Sequence, residues 1–144
     1  MKMTTYLNYG GNCAEAFRFY EEHLGGKIVF SMTYGEMPKE PGQGGGIPPG
    51  YEKAILHARL DIADTAVLAS DIPPDRFQPM RSVYLCLSVD SNEEAERIYA
   101  LLADGGEIYM PMAETFFAHR FGQLRDRFGT SWMIIHDRPM QPPA

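Results

Sequence analysis

The chain has 144 residues, 44% of them hydrophobic and 22% charged, and its 13 Lys+Arg against 19 Asp+Glu leave a formal net charge of −6. A chain of this size buries roughly two-thirds of its unfolded surface, which is enough for a core without disulfides or metal, and it is too apolar to be disordered. An acidic chain with no Lys/Arg cluster, no apolar run of bilayer length and no signal-peptide stretch in MKMTTYLNYGG points away from nucleic acid, membrane and secretion. Cys13 and Cys86 form no metal or redox spacing, so a cytoplasmic location is expected.

Residues 4–9 alternate as a half-buried strand does. Asn12-x-x-Glu15 then reads as a capping box opening an amphipathic helix over 13–24, with Cys13, Ala16, Phe17, Tyr20 and Leu24 on one face. Gly25 is placed to end it in a left-handed conformation. Strand-like stretches follow at 27–34, 54–62 and 65–70. Between the first two lies GEMPKEPGQGGGIPPGYEK (35–53), too rich in Gly and Pro for regular structure. Its Gln43-Gly44-Gly45-Gly46 has no following Lys-Ser/Thr and no helix start, so it reads as a flexible lid, not a phosphate loop. No strand–Gly-rich turn–helix unit of the nucleotide type is expected anywhere in the chain. The prolines of DIPPDRFQPM (71–80) interrupt the pattern.

The second half repeats the first. A strand is expected over 82–89, then a capping box at Ser91-x-x-Glu94, and then a helix burying Ala95, Ile98, Tyr99 and Leu102 that closes at Gly105. Strands at 107–112, 119–125 and 131–136 precede a loose tail, RPMQPPA. Tyr6-Leu7-Asn8-Tyr9 lies over Tyr84-Leu85-Cys86-Leu87 at an offset of 78, the capping boxes at 79, and Gly25-Gly26-Lys27-Ile28 over Gly105-Gly106-Glu107-Ile108 at 80. The fold class is therefore α+β: two tandem βαβββ units, about 3–71 and 81–137, within a single domain spanning 1–144.

Alternation also assigns faces. Val83, Leu85, Leu87 and Val89 oppose Tyr84, Cys86 and Ser88, while Leu56, Ala58, Leu60 and Ile62 oppose His57, Arg59 and Asp61. One helix per unit covers one face, and the uniformly apolar face is the natural one to bury. The mixed faces are left either to water or to one another. In the second case the two units form a cupped mixed sheet around a central cleft, helices outside, with the aromatic and polar lining of a small-ligand site.

A duplicated unit of this kind resembles the vicinal oxygen chelate superfamily, also called the glyoxalase/bleomycin-resistance/dihydroxybiphenyl-dioxygenase fold. Several stretches resemble its PhnB-like branch, sometimes labelled demethylubiquinone methyltransferase-like. They are Tyr6-Leu-Asn-Tyr-Gly-Gly-Asn-Cys-Ala-Glu-Ala with Phe19-Tyr20, Tyr34-Gly-Glu-Met-Pro38, Glu114-Thr-Phe-Phe-Ala-His-Arg-Phe-Gly122 and Asp126-Arg-Phe-Gly-Thr-Ser-Trp132-Met. The resemblance implies a cavity and a homodimer, and it says little about reaction, because this fold hosts many. The methyltransferase label finds no support in the residues. The superfamily's metal-ligand positions carry over to Tyr6, Leu68, Tyr84 and Met133, none of which is His or a carboxylate, so no metal and no cofactor are expected.

Candidate site residues follow from the faces and the matched segments. His57 is either a proton-shuttling cleft residue or a hydrogen-bonded strand residue. Glu114 is either an acid–base carboxylate, with His57 or His119 as partner, or half of a structural Glu–Arg pair with Arg120. These two are the catalytic candidates. Tyr6, His57, Tyr84, Glu114, Phe117, His119, Arg120 and Met133 form the expected ligand-binding set. Cys86 reads as a buried, inert thiol, Trp132 as core, and His136 as a structural partner. The function expected is a cytoplasmic small-molecule-binding protein that sequesters or transforms an unknown compact ligand. The alternatives are a metal-dependent lyase, isomerase or dioxygenase with relocated ligands such as His57, Glu114 and His119, and a non-catalytic dimeric interaction domain.

Overall fold

A computed structural model describes residues 1–38 and 46–139. The chain divides into two compact units, Met1–Pro79 and Met80–Ala144. The first contains β1 (Thr5–Tyr9), α1 (Cys13–His23), β2 (Lys27–Thr33), a short 3-10 turn (Tyr34–Glu36), β3 (Ile55–Ile62) and β4 (Thr65–Asp71). The second contains β5 (Leu85–Ser88), α2 (Asn92–Ala103), β6 (Glu107–Ala113), β7 (Ala118–Arg125) and β8 (Ser131–Asp137). Each unit is one mixed four-stranded sheet, ordered β1-β4-β3-β2 and β5-β8-β7-β6. The α+β tandem βαβββ architecture is therefore present. Residues 39–45 of the expected lid and 140–144 of the tail lie outside the described residues.

The helices form where the 3.6-residue period places apolar groups together. Cys13, Ala16, Phe17 and Tyr20 of α1 are buried, as are Ala95, Ile98, Tyr99 and Leu102 of α2. Gly25 (φ 71) and Gly105 (φ 75) follow the two helices in the left-handed region that costs other residues a Cβ clash. Against α1 lie Leu7, Tyr9, Ala58, Leu60, Val67 and Ala69, all buried; against α2 lie Leu124, Trp132 and Ile134. A Cβ on Gly122 would sit 2.6 Å from the Tyr99 ring, so β7 touches α2 where only glycine fits.

The helix starts differ from the sequence expectation. Ser91 does cap α2, its hydroxyl accepting from the Glu94 amide at 3.1 Å, but the Glu94 carboxylate binds Arg97 and does not reach back to complete a box. At α1, Asn12 makes no side-chain capping bond. The Asp71 carboxylate, from the end of β4, accepts instead from the amides of Gly11 (2.8 Å) and Cys13 (3.0 Å), and its second oxygen accepts from Ile55 at the start of β3 (2.8 Å). β1 thus does enter α1 through a Gly10-Gly11 turn, a strand–Gly–helix passage the sequence reading did not expect. The Asp71 carboxylate takes the first amide of the helix, at Cys13, and the Gly11 amide just before it. In the second unit a buried Asp126 holds the β7–β8 turn instead, accepting from Phe128, Thr130 and the Trp132 indole.

Strand register revises the repeat alignment. Tyr6 pairs with Leu68, which faces Arg59, which faces Phe30. In the second unit Cys86 pairs with Met133, then Gln123, then Met110. The edge strands anchor this match, because β2 shifts register between Ile28 and Phe30 and β6 between Ile108 and Met110. Cys86 is therefore the counterpart of Tyr6, at an offset of 80, and the 78-residue offset that set Tyr84 there is two residues short. A slip of two keeps every side chain on its face, so alternation alone does not detect it.

Candidate functional site

In each unit the helix covers one face of the sheet, and the other carries the mixed side chains. On the first unit's helix-free face, the Tyr6 phenol and His57 Nδ1 are hydrogen-bonded at 3.1 Å across β4. Their rings stack with centroids 5.7 Å apart and planes 26° apart. Phe30 adds a third ring 5.8 Å from His57. Tyr6 and Phe30 each remain 45% exposed, so the cluster is a surface of rings open to contact rather than core. Arg59, in the same register row, donates from Nε to Asp61 at 2.8 Å. Sequence alternation found His57. It missed Phe30, because the register shift between Ile28 and Phe30 breaks the alternation of β2 at that point.

The remaining expected site residues all belong to the second unit, and they fall into separate groups there. Tyr84 stacks on Tyr109, centroids 5.7 Å apart, and Tyr109 lies 3.4 Å from the Ser131 hydroxyl. Met133 stands beside Cys86 and Gln123 on the helix-free face. Phe117 packs edge-on to Phe116 and Phe121. Arg120 is turned to the helix side, where its Nε donates to Glu96 of α2 at 3.2 Å. The His119 ring lies 4.8 Å from His136, whose Nδ1 is 2.8 Å from the Asn92 side-chain oxygen. Glu114 is exposed and paired with Arg138, whose hydrogen bond and charge hold its carboxyl below the usual range. The Glu–Arg pair thus exists with Arg138 in place of Arg120, whose charge, like that of His119, adds only a smaller lowering effect. The expected burial of Cys86 is also corrected: it is exposed, since its side chain projects from the helix-free face of β5.

The family model for 3-demethylubiquinone-9 3-methyltransferase matches residues 1–135. The chain belongs to that family, the PhnB-like branch of the vicinal oxygen chelate superfamily. It is 35% identical to protein YjdN of Escherichia coli (strain K12) over 147 residues, covering 98% of this chain and 100% of YjdN. It is 36% identical to the crystal structure of protein PA1353 from Pseudomonas aeruginosa, with a TM-score of 0.84 over 96% of this chain and 99% of that one. A putative 3-demethylubiquinone-9 3-methyltransferase, PhnB protein, from Bacillus cereus is 27% identical, with a TM-score of 0.78 over 94% and 99% of the two chains. Solved structures at 13% and 16% identity, a fosfomycin resistance protein and a glyoxylase/bleomycin resistance protein/dioxygenase domain, share the fold alone.

With register in hand, the superfamily's metal-ligand positions can be tested on this PhnB-like chain. They fall on Tyr6, Leu68, Cys86 and Met133, with Cys86 replacing Tyr84. Leu68 has no donor atom, and a thioether is a soft, weak ligand. Cys86 is the one good donor of the four, and a single thiol beside a phenol, a thioether and a leucine makes no site for a divalent ion. Among the described residues no three His, Cys, Asp or Glu side chains converge. This donor set does not fit the superfamily's divalent ion.

Proposed function

We propose that this chain is a small-molecule-binding protein of the PhnB-like branch, holding a compact ligand against the helix-free faces of its sheets without the superfamily's usual metal. One observation carries the reading: the Tyr6–His57–Phe30 cluster, in which His57 touches both other rings and Tyr6 and Phe30 stay half exposed on a face their own helix does not cover. Large apolar and aromatic groups left open beside a few fixed polar atoms are the usual composition of a ligand site. His57 is held by Tyr6 through Nδ1, which leaves Nε2 as the nitrogen for a ligand. Residence in the cytoplasm and assembly as a homodimer belong to the same reading.

A thermal-shift screen of metabolite-like compounds on the purified chain tests this. A ligand that binds only the folded state raises the midpoint, by about 2.7 kcal/mol of stabilisation at a hundredfold excess over Kd. The shift is expected to disappear in Tyr6→Ala and His57→Ala. A library without a single shift, or a shift that survives both substitutions, argues against the reading. Stoichiometric metal in the purified protein by elemental analysis favours the metal-dependent alternative.

A further inference from the structure

The ring cluster shares its face with a guanidinium that is only partly engaged. We propose that the helix-free face of the first unit takes a planar aromatic carboxylate, its ring against Tyr6, His57 and Phe30 and its carboxylate on Arg59. This rests on the small-molecule reading above and deepens it. Arg59 stands in the register row between Leu68 and Phe30, one strand from the Phe30 ring and two from Tyr6. Asp61 takes its Nε–H at 2.8 Å, and among the described residues no other group is bound to it, so the Nη edge is free on a side chain 45% exposed. A free guanidinium edge is a planar two-donor fork that matches the two oxygens of a carboxylate.

The charges around Arg59 agree. Lys2, Asp61 and Asp64 lie beside it along a hollow that none of the three rings lines. Lys27 faces Asp61 across the β2–β3 pair. Lys2, Lys27 and Arg59 against Asp61 and Asp64 leave a local surplus of one positive charge in a chain of net charge −6. A surplus of one suits a monoanion. A phosphate dianion would meet two carboxylates for its second charge. Neighbouring strands lie about 4.8 Å apart, so a ligand of benzoate size reaches from Arg59 to the rings on either side.

Calorimetric titration of the full chain with benzoate, benzamide, acetate and inorganic phosphate, alongside NMR of the histidine rings, tests the proposal. Benzoate is expected to move the His57 signals and to bind at least tenfold tighter than benzamide or acetate. Arg59→Gln brings benzoate down to the benzamide level with benzamide unchanged, and Arg59→Lys, which keeps charge but loses the fork, falls between. Circular dichroism of these surface variants checks that they fold. Equal affinity for benzoate and benzamide, tighter phosphate than benzoate, or full benzoate affinity in Arg59→Gln overturns the proposal while leaving the ring site standing. If no aromatic probe moves His57 and the compound library gives no shift, the small-molecule reading falls with it.

Discussion

Cys86 and Cys13 show how position in a sheet decides the chemistry of a residue. Cys13 opens α1 at 0% exposure, and burial, with the Asp71 charge adding to it, pushes its thiol far above the ordinary value. Cys86 is exposed, yet its thiol is also raised. An alkylating agent at pH 8 is therefore expected to label one thiol of the native protein, more slowly than free cysteine, and both in urea. Asp137→Asn should speed the single native reaction. Two native labels, or an unchanged rate in the variant, would contradict this assignment. Glu114 supplies a pH-dependent counterpart. Its folded-state pKa is depressed, so the contribution of its pair with Arg138 is present above the unfolded carboxyl value of about 4.3 and disappears as pH falls through the lower folded value. The urea midpoints of wild type and Glu114→Gln should differ near neutral pH and converge in acid. A gap that widens on acidification contradicts the pairing.

At the scale of elements, two buried carboxylates hold the chain, one across the fold and one within a turn. Asp71 is 1% exposed and Asp126 4%; Asp71 accepts from Gly11, Cys13 and Ile55, far from it in sequence, and Asp126 accepts from Phe128, Thr130 and Trp132 directly after it. Replacing either with Asn keeps the shape, removes the charge and leaves donors without a full set of acceptors. Bonds to charged groups contribute about 1.5–3 kcal/mol, so a loss of about 2–4 kcal/mol is expected for Asp71→Asn and for Asp126→Asn by urea denaturation, and a loss under 0.5 kcal/mol would overturn the role. Strand and helix positions were legible because periods of 2 and 3.6 survive in the local sequence, as at Leu56–Ile62 and Ala95–Leu102. The α1 cap was not legible, because its acceptor lies about sixty residues downstream. Glu114 and Arg138 escaped for the same reason at a separation of 24. His57 was legible by alternation, whereas Phe30 and the register of Cys86 required the hydrogen-bonded ladder itself.

Across the whole chain, duplication preserved the scaffold and let the chemistry diverge. The row Tyr6, Leu68, Arg59, Phe30 carries a phenol, a guanidinium and a ring, while its counterpart Cys86, Met133, Gln123, Met110 carries sulfur atoms and an amide. The helix caps diverged too, and that difference sets an order of events in time. Ser91 meets the Glu94 amide three residues away, so α2 can close its first turn before any strand pairs. For α1 the acceptor arrives only with β4, after a loop of some sixty residues has been closed. Refolding kinetics should show it: Ser91→Ala is expected mainly to slow folding, and Asp71→Asn mainly to hasten unfolding. Two copies of one ancestral motif would then assemble by different routes, one nucleated from within its own helix and the other completed from its far end.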